Sequence, residues 1–188
     1  KEKMSQNHYI YCLESVQDTE APNRSPILPS LEALAATYGI TNVYKTCDSI
    51  EGFEESISTL LHEDRHFKDY TVIYLVFEGR SNELKIDNYY YTFEEIAEFF
   101  EGKLQGKIVH FANTLQLDLD EETFQYFLDV TGAKAISGYA NQVPILSTVL
   151  DNLYFSLNDE HDDVVTLTEE LFNKQYALAN TLGFRMYY

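Results

Sequence analysis

Cysteine is scarce in this sequence. Cys12 and Cys47 are its only two, too few for a disulfide framework, and they suit a reducing, cytoplasmic setting. Basic residues are scarce as well: 13 lysines and arginines stand against 31 aspartates and glutamates, a net charge of −18. That balance excludes a nucleic-acid backbone or an anionic membrane as the main partner, since both require a basic footprint. No apolar run reaches the ~18 residues of a membrane-spanning helix, and residues 1–6 lack the apolar core of a signal peptide. Internal repeats and low-complexity segments are missing too. What is present is core material: 45 % of the residues are hydrophobic and 14 % aromatic, far more than in a chain too polar to fold. A length of 188 residues predicts a single domain over 1–188. Residues 1–7 read as a disordered or appended N-terminus, with Met4 as a natural start.

Four short apolar runs predict strands at residues 8–13, 70–77, 107–111 and 133–139, with a weaker one at 42–47. In the second, Val72, Ile73, Leu75, Val76 and Phe77 leave almost no polar alternation. That is the pattern of a strand buried on both faces of a parallel sheet. Between the runs, apolar residues recur at helical period. Leu31, Leu34, Ala35 and Tyr38 form one stripe, ended by Gly39; Phe53, Ile57, Leu60 and Leu61 form another. Thr92 and Glu95 make a capping box for a helix carrying Phe93, Ile96, Ala97 and Phe100. Asp120 caps a helix carrying Phe124, Phe127 and Leu128 that stops at Gly132. Leu146, Val149, Leu150 and Leu153 follow Pro144, and Thr166 with Glu169 opens a last helix ending at Gly183. Residues 82–87 and 89–92 read as a small hairpin after the third strand. The alternation predicts an α/β sandwich with a mostly parallel sheet. Two acidic clusters, 118–122 and 158–163, fall in predicted loops or helix starts, where they read as solvated surface.

Open α/β sheets bind ligands at the carboxyl ends of their strands, near the point where strand order reverses. This rule places a crevice among Glu14, Ser15, Glu78, Gly79, Arg80, Asn113, Thr114, Ser137, Gly138 and Tyr139. Carboxylates, amides, hydroxyls and glycines converge there. Cysteine and histidine do not.

A resemblance enters at these strand ends. Tyr74-Leu75-Val76-Phe77-Glu78-Gly79 resembles the strand that ends in His-Gly in caspase-like cysteine peptidases of the clan CD type. Ile108-Val109-His110-Phe111-Ala112-Asn113-Thr114 resembles the next strand, which leads to the catalytic cysteine. The stretch from Thr131 to Tyr139 and the closing Leu182-Gly183-Phe184-Arg185 are similar to an uncharacterised bacterial branch of that fold. The resemblance runs from about Tyr9 to Tyr188. It implies a three-layer α/β/α sandwich with a mostly parallel central sheet and a small hairpin after the third strand. It also puts the catalytic histidine on Glu78 and the nucleophilic cysteine on Asn113 or Thr114, according to a one-residue shift.

A cysteine peptidase needs a thiolate to attack and an imidazole to move protons. Glu, Asn and Thr supply neither. Cys12 reads as a small apolar core residue of the first strand, and Cys47 follows an edge strand away from the crevice. The expectation is therefore a catalytically inactive member of the fold, a pseudo-peptidase acting as a binding or regulatory module, with no cofactor and no metal.

Other readings compete. A hydrolase with Thr114 as nucleophile and Glu78 as base would need a carboxylate made basic by its surroundings; the plainer reading pairs Glu78 with a cation such as Arg80. His62-Glu63-Asp64-Arg65-His66 matches a zinc-peptidase pattern, but on a helical wheel both histidines point away from the Phe53–Ile57–Leu60 face, and no third ligand follows. Glu14, Glu78 and Thr114 could mimic a phosphorylation receiver holding Mg²⁺, yet no lysine ends the strand at Ser137. His110, inside a strand, reads as a satisfied core histidine. The charge of −18 would suit an acidic DNA mimic or inhibitor, if carboxylates were spaced like phosphates along one face. Tyr89-Tyr90-Tyr91 and Tyr187-Tyr188 are good interface material, and the resemblance implies a homodimer paired through an edge strand. The expected partner is a protein, with neither nucleic acid nor membrane.

Overall fold

The computed structural model describes residues 6–112, 117–141 and 144–188. The first half contains β1 (Tyr9–Ser15), α1 (Ile27–Tyr38), β2 (Asn42–Cys47), α2 (Ile50–His62), a 3-10 turn at Phe67–Asp69, and β3 (Tyr70–Val76). Three short strands follow, β4 (Gly79–Arg80), β5 (Glu83–Ile86) and β6 (Tyr89–Thr92), and then α3 (Phe93–Glu98) and β7 (Ile108–Ala112). The chain closes with α4 (Glu121–Thr131), β8 (Ala135–Tyr139), α5 (Pro144–Glu160), α6 (Val164–Leu182) and β9 (Phe184–Tyr187).

Six strands form the central sheet in the order β2-β1-β3-β7-β8-β9, parallel except for β9, which runs antiparallel to β8. The expected α/β sandwich with a mostly parallel sheet is therefore present. Within β3, Ile73 and Leu75 face one side and Val72, Tyr74 and Val76 the other, all buried, which explains the run without polar alternation. On the first side α2, α3 and α4 pack with Phe53, Ile57, Phe93, Ile96 and Phe127. On the second, α1, α5 and α6 pack with Leu31, Leu34, Leu150, Tyr154, Leu167 and Leu171. The chain leaves β1 for β2 on one flank and returns to β3 on the other, so the strand order reverses between β1 and β3.

The caps follow the sequence. Asp120 accepts from the Thr123 N–H at 2.7 Å, Thr92 from that of Glu95 at 3.2 Å, and Gly132 ends α4 at a φ of 78°. Four expectations need correction. The last helix starts at Val164 under Asp163, whose carboxylate binds both the N–H and the hydroxyl of Thr166, so Thr166 lies inside the helix. Asp159 and Glu160 end α5 rather than opening a helix, a site where the macrodipole disfavours them. Three residues placed on buried stripes are exposed: Ala35 and Tyr38 on α1, and Val149 on α5, which is 61 % exposed. The small hairpin is a three-stranded antiparallel sheet, β4-β5-β6, because Ser81-Asn82 and Asp87-Asn88 each form a turn with two consecutive positive φ values, the geometry that matches strand twist. Among the described residues, no helix is long and apolar enough to cross a membrane.

Candidate functional site

A crevice of about 300 Å³ opens where the strand order reverses. Ser15 lines it from the end of β1, Val16 and Gln17 just past that strand, Glu78 just past β3, and Lys85, Asp87 and Asn88 from the small sheet. Gly79 holds the small sheet there: a Cβ on it would stand 2.2 Å from the Glu83 carbonyl oxygen, so no larger residue allows β4 to close on β5. The Lys85 N–H donates to the Glu78 carbonyl at 2.7 Å and completes the fold-back over the strand ends. The crevice is polar and carries both signs of charge. Glu78, with its side chain 76 % exposed, faces the Lys85 ammonium at 3.8 Å. Arg80, the cation expected for it, instead pairs with Glu83 at 3.4 Å and lies over the Tyr90 ring at 3.7 Å.

Of the residues placed at the mouth from sequence, Ser15 and Glu78 come together, and Gly79 sits beside them in β4. Asn113 and Thr114 lie outside the described residues. The rest do not line the crevice, and for Glu14, Ser137 and Tyr139 strand parity is the reason, because successive side chains point to opposite faces. Glu14 turns to the α1 side, where it is buried and accepts from the Tyr44 hydroxyl and from Ser25 Oγ at 2.7 Å. Burial pushes its carboxyl above the usual range, and those two hydrogen bonds oppose the shift. Ser137 and Tyr139 turn to the α5 side and are buried. Gly138 faces the other way but is covered: a Cβ on it would lie 2.3 Å from Leu117 Cδ2.

Beneath β7 and β8 the structure holds a polar network that the sequence reading missed. Asp151, 1 % exposed, accepts from the Tyr74 hydroxyl at 2.5 Å and from the Tyr139 hydroxyl. His110 Nε2 stands 2.6 Å from the same carboxylate, and His110 Nδ1 stands 2.8 Å from Ser137 Oγ. Tyr154 closes the chain, its hydroxyl 2.9 Å from Ser137 Oγ. Desolvation first, and the Asp151 charge second, push the Tyr74 and Tyr139 phenols well up, so both stay neutral donors. His110 is thus a satisfied core histidine. The linked Ser, His and Asp have the connectivity of a hydrolase relay, but Ser137 is fully buried under Tyr154 and no carbonyl can reach it. One signal was legible: Asp151 occupies the buried stripe of α5 with Leu150, Tyr154 and Phe155, and a carboxylate at a core position needs partners.

All five histidines and both cysteines lie among the described residues, and none reaches the crevice. Cys12 and His110 share one face of the sheet, but Tyr74 separates them in the register Cys12–Tyr74–His110. Two strand spacings of ~4.8 Å keep them apart. Burial, then Glu14 and Asp151, push the Cys12 thiol well up, and burial pushes Cys47 up to about 12. Neither is a thiolate at neutral pH. His62 is the last residue of α2, and His66 lies past that helix, so the zinc-peptidase spacing never shares one helical face. His62 instead meets Glu101 at 3.0 Å and His66 meets Asp69 at 3.3 Å. A larger groove of about 540 Å³, away from the strand ends, gathers Glu54, Glu95, Glu98 and Glu101 beside Tyr91 and Phe99.

The profile of a family described as "Family of unknown function (DUF6642)" matches residues 7–188. No curated protein matches the chain.

Proposed function

The chain belongs to this family of unknown function, and from that premise we propose that it is a catalytically inactive caspase-like protein acting as a binding module. Its contact site is the crevice at the ends of β1 and β3. One observation carries the reading. Glu78 stands where the resemblance puts a catalytic histidine, exposed and facing Lys85, while every histidine and cysteine of the chain lies elsewhere. The sheet layered between helices and the small antiparallel sheet after β3 support the caspase-like part. The opposed charges of Glu78, Asp87 and Lys85 favour a protein partner with its own mixed charges, met in the cytoplasm. Where the resemblance implies an edge-paired dimer, β2 and β9 are the two edges of the central sheet. A hydrolase centred on Glu78 is disfavoured because that side chain lacks the burial that would make a carboxylate a useful base.

The test has two arms. Incubation with a broad peptide library and with a thiol-directed covalent probe should give no turnover and no labelling at the crevice. Specific cleavage that disappears in Glu78→Ala would overturn the reading. In the second arm, a captured protein partner should be lost in Glu78→Lys and should weaken as salt is raised, since exposed charges are screened.

A further inference from the structure

A further cavity, of about 430 Å³, lies at the carboxyl end of β8, between the turn joining β4 to β5, Asp118, and Ala140 and Asn141 just past β8. Ser81, Asn82, Asp118, Ala140, Asn141 and Arg185 line it. Its walls are tied down. Asn82 donates through Nδ2 to the Asp118 carbonyl at 2.8 Å and accepts the Asp118 N–H at 3.2 Å. Across the cavity, the Ala140 N–H donates to the Gly183 carbonyl at 2.8 Å, and Asn141 binds the Leu182 and Thr181 carbonyls at 3.0 and 3.1 Å.

Within that fixed frame two charges are unused. Among the described residues, the Arg185 guanidinium and the Asp118 carboxylate make no side-chain hydrogen bond and no ion pair, either with each other or with a third residue. Opposite charges on one cavity, too far apart to pair, present the two ends that a small molecule bearing both charges would satisfy. A guanidinium binds a carboxylate in a two-pronged fashion, and a carboxylate accepts an ammonium. Ser81 adds a hydroxyl beside them. The volume falls within the range of about 300–1,000 Å³ usual for small-molecule sites, and strand carboxyl ends are where open α/β sheets place ligands. We propose that this cavity binds a small zwitterion of the α-amino acid class, its carboxylate on Arg185 and its ammonium on Asp118.

The test is an NMR titration of the ¹⁵N-labelled protein with each free L-amino acid, followed by the N-acetyl and amide forms of any that binds. At least one free amino acid should give saturable shifts at Ser81, Asn82, Asp118, Asn141 and Arg185. Removing either ligand charge should weaken binding tenfold or more. Arg185→Gln should abolish it. Asp118→Asn should weaken the free amino acid but leave the N-acetyl form unchanged, which assigns each end to its residue. Both side chains are exposed, so an unchanged melting temperature verifies that the variants fold. Glu78→Lys should leave the shifts intact, which keeps this cavity independent of the neighbouring crevice. No saturable shift with any amino acid, equal binding of the free and blocked forms, or full affinity in Arg185→Gln would overturn the proposal.

Discussion

The crevice at the ends of β1 and β3 and the network beneath β7 and β8 both gather polar side chains near the carboxyl ends of the central strands, yet they are built in opposite ways. In the crevice, Glu78 and Lys85 face each other at 3.8 Å in the open, a pairing that contributes little to stability. In the network, a carboxylate that is 1 % exposed collects two phenols and an imidazole, and the imidazole meets a hydroxyl. Groups that could move a proton sit where no substrate reaches them, and the groups a partner can reach move none. Proton chemistry and access have been separated within one fold, and that separation is what the proposed binding role would require.

The largest effect should come from the network. Asp151→Ala leaves Tyr74, Tyr139 and His110 without their shared acceptor inside the core, and breaking a buried pair of this kind costs about 3–5 kcal/mol. Urea denaturation would measure it. If that variant fails to fold, Asp151→Asn keeps the shape and one acceptor oxygen and should lose about 1–3 kcal/mol. A loss below about 0.5 kcal/mol in either variant, the level of an ordinary surface change, would erase the contrast between the two regions.

The outline of the fold was legible because burial leaves a period. The two-face burial of β3, the stripe of α2, the Leu31–Leu34 half of the α1 stripe, and the caps at Thr92 and Asp120 all appear in the residues themselves. Two elements were too short to show one: β4, with two residues, and β9, with four, which takes its place only by pairing back on β8. The site was half legible. Strand ends fix how far along the sheet a residue lies, so Ser15 and Glu78 were found. They do not fix which face it points to, so Glu14, Ser137 and Tyr139 went to the wrong side. Asp151 was hidden because its partners arrive from β3, β7 and β8, and no local pattern announces a contact 77 residues distant.

Lys107 sharpens the comparison with a case in between. It is a buried cation that donates to the carbonyls of Phe67 at 2.7 Å and Tyr70 at 2.5 Å and lies over the Phe67 ring at 4.5 Å. Desolvation lowers its pKa to about 8 from an ordinary 10.5, with Asp69 opposing the shift. Between those two values the unfolded chain binds the extra proton, so this residue makes stability rise with pH across the window and adds no slope below it. Buried tyrosines and cysteines, whose values are raised, push the other way above about pH 9, so the readout must be a difference. Wild type minus Lys107→Met, by chemical denaturation from pH 7 to 10.5, should slope upward. A flat difference would mean that the ammonium keeps its proton inside the fold as readily as outside.

The smallest stability effect belongs to the crevice, and it is the one that decides what the crevice is for. Glu78→Ala and Glu78→Lys should each move stability by no more than about 0.5 kcal/mol, because an exposed pair at 3.8 Å supports nothing beneath it. Binding should respond where stability does not. Reversing one charge places like signs against the partner, slows association and flattens the salt dependence, whereas the double exchange Glu78→Lys with Lys85→Glu keeps the internal pair and inverts only its direction. A partner that reads the surface rejects both. If Glu78→Ala destabilised the protein as much as the loss of Asp151, the mouth would be a structural corner of the small sheet, and the division between a silent interior and a reachable surface would have to be drawn elsewhere.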